Sequence, residues 1–165
     1  QWCESYIVNH LSQHYLVHLL REKSVKSQAR ILFVLSGAVR IVDTSTLETS
    51  LMAGSGADSM KTYPDTKFAQ LLAAHWCRCQ LARQCTILAF APGRIPGTGL
   101  GRGSGVTIPK DIPDAKSIPE GAASILTGST CDDFPEDPEH IFLTSRGRWE
   151  SKDVYAKTLD QTSGA

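Results

Sequence analysis

The chain has 165 residues, 17 basic against 17 acidic side chains, and five cysteines. That length predicts one core, and the balanced, scattered charge leaves no basic stripe for nucleic acid or an anionic membrane surface. The odd cysteine count in no paired spacing, with no apolar stretch near the roughly 20 residues that span a bilayer and no signal-like start, predicts a reducing, cytoplasmic or otherwise intracellular setting.

From Glu4 to Arg21, Ile7, Val8, Leu11, Tyr15, Leu16, Leu19 and Leu20 recur at helical spacing with no Pro or Gly between them, which predicts a helix. "RILFVLSGAV" is a short apolar run without polar alternation, as in a strand buried on both faces of a parallel sheet. Residues 40 to 61 are rich in Ser, Thr, Gly and Asp and read as a loop. At Thr62 a capping box with Asp65, and Pro64 in the first turn, predict a second helix running to about Arg83. "CTILAFAPG" is a second buried strand, stopped by Pro92-Gly93. Residues 94 to 117 hold many Gly and Pro residues and predict a long mobile loop of the lid or binding type. A short helix from Pro119 to Thr127, a turn at "EDPEH" and a short strand at "IFLTS" complete the order. Such alternation predicts an α/β fold with a parallel sheet and flanking helices.

Chemistry enters with "TYPDTKFAQLL". Tyr63 and Lys67 lie four apart, on one helix face and roughly 6 Å apart along the axis. A phenol ordinarily ionises near pH 10, and a neighbouring ammonium favours its anion, which makes the pair a usable proton donor and acceptor. A Tyr-x-x-x-Lys pair alone is more often a solvated helix face. Here Ser36 ends one strand and Pro92-Gly93 the next, with the Tyr-Lys helix between them, and ligands bind open α/β sheets at the carboxyl ends of such strands.

Taken together, "VNHLSQHYLVHLL", "RILFVLSGAV", "YPDTK" and "APGRIPGTGL" resemble the C-terminal part of a short-chain dehydrogenase/reductase, over nearly the whole of residues 1–165. "PGRIPGTGLGR" and "FLTSRGRW" resemble the branch of protochlorophyllide-reductase-like and retinol-dehydrogenase-like enzymes. The resemblance implies a Rossmann-like parallel sheet whose N-terminal half is missing, with a lid at about 94–117. It implies Tyr63 as proton donor or acceptor, Lys67 as its neighbour and a ligand of the nicotinamide ribose, and Ser36 as partner of the reacting oxygen. Asn9 would hold a relay water. Tyr63, Lys67, Pro92, Gly93, Ile95 and Thr98 would contact a nicotinamide cofactor, NADP(H) rather than NAD(H). Thr66 replaces the Ser usual before the lysine, and Gly97 stands where a cofactor-binding threonine is usual, with Thr98 one step later. The glycine-rich turn that cradles a pyrophosphate is absent, and no register of "GTGLGRGSG" supplies it.

His10, His14 and His18 step along the first helix at metal-compatible intervals, yet without a fourth ligand they read as packing or a polar face. Cys77 and Cys79, two apart on a helix, point to nearly opposite faces and read as packing residues rather than ligands. Two functions compete. One is an oxidoreductase that reduces a carbonyl or conjugated double bond of a hydrophobic small molecule, or oxidises the alcohol. The other is a catalytically silent fragment or subunit-pairing unit lacking the cofactor-binding half. A homodimer through the helices at 4–21 and 62–83 is expected from the resemblance.

Overall fold

The two apolar runs pair side by side. A computed structural model describes residues 1–54, 56–81, 84–100, 107–113, 115–137 and 139–156. In it β1 (Arg30–Val34) runs parallel to β2 (Thr86–Phe90), in register from Arg30 opposite Thr86 to Val34 opposite Phe90. The short β3 (Phe142–Leu143) lies parallel on the other side of β2. The expected α/β arrangement, a parallel sheet with helices against it, is the one observed. Only β2 has the full burial expected of its run. β1 is half-buried, and Val34 is 40% exposed, because no described strand pairs with its outer side.

Ahead of β1 runs one helix, α1, built from Glu4–Tyr6, a π-helical Ile7–Leu11 and Ser12–Lys26. The wide turn is set by the Ser12 N–H, which reaches back to the carbonyl of Ile7. The apolar stripe that predicts this helix faces outward: Tyr15, Leu16 and Leu19 are each at least 55% exposed. Its inward side carries Asn9 and Gln13, with Val17 and Val25 against the core. The helix ends in a Schellman motif, with Ala29 N–H on the Ser24 carbonyl and Gln28 N–H on that of Val25. Gln28 takes the left-handed conformation there, at φ 51°.

The stretch from 40 to 61, expected as loop, holds more structure than its polar composition suggests. A 3-10 helix (Gly37–Ile41) follows β1, and α2 (Leu47–Leu51) buries Leu51. The next helix, α3, spans Ser59–Leu81 and so starts three residues before the expected Thr62. Asp58 caps it: its carboxylate accepts from Met60 N–H at 3.0 Å and its carbonyl from Lys61 and Thr62. The predicted capping box therefore does not form. Thr62 Oγ1 donates to the Asp58 carbonyl, and the Asp65 carboxylate accepts from Ser50. Pro64 consequently lies inside the helix, where it gives no N–H to the carbonyl of Met60.

Helix α3 packs on the sheet face of Phe33, Leu35, Ile87 and Ala89 through Phe68, Leu71, Ala74 and Cys77. Alternation sends Leu32 and Phe90 to the other face, where α4 (Ile118–Thr130) lies with Gly128 towards them. A Cβ there would stand 3.5 Å from Leu32 and 3.7 Å from Phe90. Ser117 and Glu120 form a capping box at the start of α4. Its other end is held by Arg30, which donates to the Cys131 carbonyl at 2.6 Å, pairs with Asp132 at 2.9 Å and lies over Phe134. Within the expected lid, an Arg94–Ala115 bridge joins the two ends, and residues 101–106 and 114 lie outside the described residues. A last short helix, α5 (Lys152–Tyr155), buries Tyr155 against Phe142.

Two substitutions at helix ends should move stability in opposite directions. Gln28→Gly relieves the left-handed strain and should stabilise by about 0.5–1 kcal/mol. Asp58→Ala removes the cap of α3 and should cost about 1 kcal/mol. Urea midpoints, with unchanged slopes, check both.

Candidate active site

The carboxyl ends of β1 and β2 are neighbours, since Leu35 N–H donates to the Phe90 carbonyl at 2.6 Å. Ser36 and Pro92 thus leave the sheet on the same edge. Ser36 is half-buried, and its Oγ accepts from Ala38 N–H at 3.2 Å, capping the 3-10 turn. No described residue accepts its hydroxyl hydrogen, so the O–H can donate elsewhere.

Lys67 is buried, at 9% exposure, between α3 and the end of β1. Its Nζ donates to the Val34 carbonyl at 3.0 Å and to Gln70 Oε1 at 2.9 Å. Burial lowers its pKa below the ordinary lysine value. The same Nζ stands 5.9 Å from the ring centroid of half-buried Tyr63. The ammonium is anchored by a backbone carbonyl and an amide and faces the phenol ring, with one N–H left over from the two bonds. No hydrogen bond joins Ser36 to Tyr63.

Asn9 lies in the π turn of α1 and donates from Nδ2 to Thr66 Oγ1 at 3.1 Å, while Thr66 donates to the Tyr63 carbonyl at 2.8 Å. One turn further along both helices, Gln70 donates from Nε2 to Gln13 Oε1. Sequence reasoning missed Thr66, Gln13 and Gln70 as parts of this arrangement. The available signal was positional: polar residues at Lys67−1, Asn9+4 and Lys67+3, on helix faces that must meet.

Gly93, at φ 91°, is a position only glycine takes without strain, and a Cβ there would meet Ser145 Oγ at 3.0 Å. Beyond it, Ile95 packs on Gly121 of α4, and Thr98 closes its own turn by donating to the Ile95 carbonyl at 3.2 Å and accepting from Leu100 N–H at 3.4 Å. Pro92, Gly93 and Ile95 therefore follow the site edge directly, whereas the Thr98 hydroxyl is exposed and engaged locally.

The histidines of α1 join a run of rings. Trp2–Tyr6 and Tyr6–His10 are each 4.9 Å apart, His10–His14 is 6.0 Å and His14–Trp76 of α3 is 5.1 Å. Among the described residues no group of three His, Cys, Asp or Glu side chains could hold a metal ion. Cys77 is buried, with its thiol pushed up to about 11 by burial, and Cys79 is exposed, so the two do face opposite ways. Among the described residues, no helix is long and apolar enough to cross a membrane.

Over 98% of its length the chain is 51% identical to a short-chain dehydrogenase/reductase of Pestalotiopsis microspora. The chain belongs to the short-chain dehydrogenase/reductase family. It spans 57% of the length of that curated relative. No family model matches the chain, and no solved structure does. Within this short-chain dehydrogenase/reductase sequence, Asn9 lies in the π turn of α1, Ser36 follows the end of β1, and Tyr63 and Lys67 lie on α3.

A buried histidine, His75, and a half-buried one, His10, give the protein a pH dependence of known sign. Burial lowers His10 and His75 each to about 4 from the ordinary 6.5. Between those values an unfolded imidazole binds a proton that the folded one refuses, so the stability contribution is full above 6.5 and is lost as pH falls towards 4. The slope should approach about 1.4 kcal/mol per pH unit for buried His75 and be smaller for His10, where solvent screens the effect. His75→Phe should flatten it by about half or more, as read from urea unfolding across that range.

Proposed function

We propose that these residues form the proton-transfer site of an NAD(P)-dependent oxidoreductase acting on the carbonyl or conjugated double bond of a hydrophobic small molecule, or on the corresponding alcohol. The observation that carries this reading is the buried Lys67 ammonium, fixed to the end of β1 and facing the ring of Tyr63. A surface pair would leave the lysine solvated, and a buried charge needs a reason.

In this reading Ser36 donates its free hydroxyl hydrogen to the reacting oxygen and Tyr63 delivers or removes the proton there. Lys67 supplies the fixed positive charge beside the phenol and offers its remaining N–H to the cofactor ribose. Asn9, in the π turn, holds a water that links the site to solvent. The residues fit the reactive end of a nicotinamide cofactor: an ammonium with a remaining donor and two hydroxyls with no described acceptor. Pro92, Gly93, Ile95 and Thr98 would border it. When bound, that cofactor supplies or accepts the hydride, which no side chain can do. NADP(H) is favoured over NAD(H) by the resemblance of "PGRIPGTGLGR" to its branch.

A subunit-pairing role is supported by a different observation, the outward apolar face of α1 at Tyr15, Leu16 and Leu19 beside the exposed Trp76. That face fits a second copy of the chain and is compatible with catalysis.

Tyr63→Phe in the full-length protein should lower NADPH-dependent turnover of a panel of hydrophobic ketones and enones by about 100-fold or more. The thermal midpoint should stay near wild type. Full turnover in that variant refutes the reading, and saturable NADPH binding by the 165-residue chain itself argues against a silent pairing unit.

A further inference from the structure

Gln70 is 1% exposed, among the most buried polar side chains described, and shares its helix face with the buried Thr66, Lys67 and Ala74. An amide buried in such surroundings costs free energy unless both its ends are hydrogen-bonded, and a Met or Leu would fill the same space without that requirement. Both ends are in fact occupied: Oε1 accepts from Lys67 Nζ at 2.9 Å, and Nε2 donates to Gln13 on α1.

We propose that Gln70 is the positioning residue of Lys67, and that Gln13 satisfies the donating end of Gln70 that this arrangement leaves over. The inference rests on the proton-transfer reading of Tyr63 and Lys67 for its catalytic meaning. The direction matters because an amide has one accepting and one donating end. With its carbonyl towards Nζ it stabilises the ammonium; turned over, it would set an NH2 against a cation. The ammonium can only donate, so it draws the Gln70 carbonyl to itself and leaves the NH2 for Gln13 Oε1 to accept.

The placement of this second rung follows from the first. Asn9 meets Thr66, and Gln13 meets Gln70, each exactly four residues later on its own helix. Helices α1 and α3 therefore run parallel at this point, with one-turn register between the rungs. The rung that seats Asn9 also brings Gln13 to Gln70, so the water-holding side of the site and the charged side share one helix alignment. The surroundings of Nζ are otherwise simple. From β1 it meets the Val34 carbonyl, from α1 the neutral amides act through Gln70 and Thr66, and on α3 its titratable neighbour is Tyr63. Burial is the cause that lowers its pKa, and the acceptors on Nζ oppose it.

The test is a pH titration of the Lys67 side-chain nitrogen by heteronuclear NMR in the full chain labelled at lysine, with the signal assigned by its loss in Lys67→Arg. Gln70→Met should lower the midpoint by about one to two pH units, the worth of one hydrogen bond to a charged group. Gln13→Met should lower it by less. Gln70→Glu should raise it, because a carboxylate holds the ammonium more firmly than an amide does. A general packing role for Gln70 predicts no such reversal of sign. An unmoved midpoint in a folded Gln70→Met protein overturns the proposal. Should that variant fail to fold, a Gln70→Glu midpoint that does not rise overturns it instead. The two readings separate cleanly: midpoints that shift as stated while Tyr63→Phe keeps full turnover remove the oxidoreductase reading and support the Gln70–Lys67 coupling, whereas an unmoved midpoint with an inactive Tyr63→Phe removes the coupling alone.

Discussion

A cation buried beside a strand end is the constraint around which this structure is arranged. Lys67 comes less than one turn after Pro64 in α3, and reaches the last carbonyl of β1. Holding an ammonium at 9% exposure requires oxygen atoms placed in advance, since its desolvation is otherwise unfavourable. The Val34 carbonyl and the Gln70 amide meet that requirement. They also fix the distance between α3 and the sheet edge where Ser36 and Pro92 emerge. The charge is therefore both a chemical group and a spacer.

The same requirement explains an inversion in α1. Its inward face has to supply polar partners to α3, so Asn9 and Gln13 turn in while Tyr15, Leu16 and Leu19 turn out. A regular helix would carry its side chains round by 100° per residue. The π turn at Ile7–Leu11 adds a residue at the level of Asn9, and Ser12 returns to Val8 to satisfy a carbonyl there. The run of rings from Trp2 to His14 fills the remaining seam and meets Trp76 of α3.

Much of the architecture was legible because apolar runs and their breaks report strand and helix directly. Both main strands and the three long helices stand where their patterns place them. Boundaries failed where two candidate caps competed: Thr62 and Asp65 form an acceptable capping box on paper, but Asp58 lies closer to the chain's entry from α2 and wins. The Ser- and Thr-rich stretch hid a 3-10 helix and α2, since short helices carry too few apolar residues to register as periodic. The residue types of the site were readable from spacing and resemblance. Its supporting hydrogen bonds were not, because Gln13 and Gln70 are 57 positions apart and only the packing of two helices joins them. The orientation of the α1 stripe was equally hidden, as periodicity defines a face without saying what it faces.

Helix α4 touches three separate parts of the molecule through its smallest residues and its end. Gly121 admits the tip of Ile95, Gly128 admits Leu32 and Phe90, and Arg30 clasps the final carbonyls. The two glycines are not equivalent. Ile95 belongs to the segment after Gly93 and meets the helix with the far end of a flexible side chain, whereas Leu32 and Phe90 are anchored in paired strands. A side chain added at position 121 would thus displace the tip of Ile95, whereas a methyl at position 128 would rest in ordinary contact with the sheet. The helix acts as a spar, rigidly seated at one end and leaning on a yielding stay at the other, so small changes along it can retune the approach to the strand ends without loosening the floor beneath them.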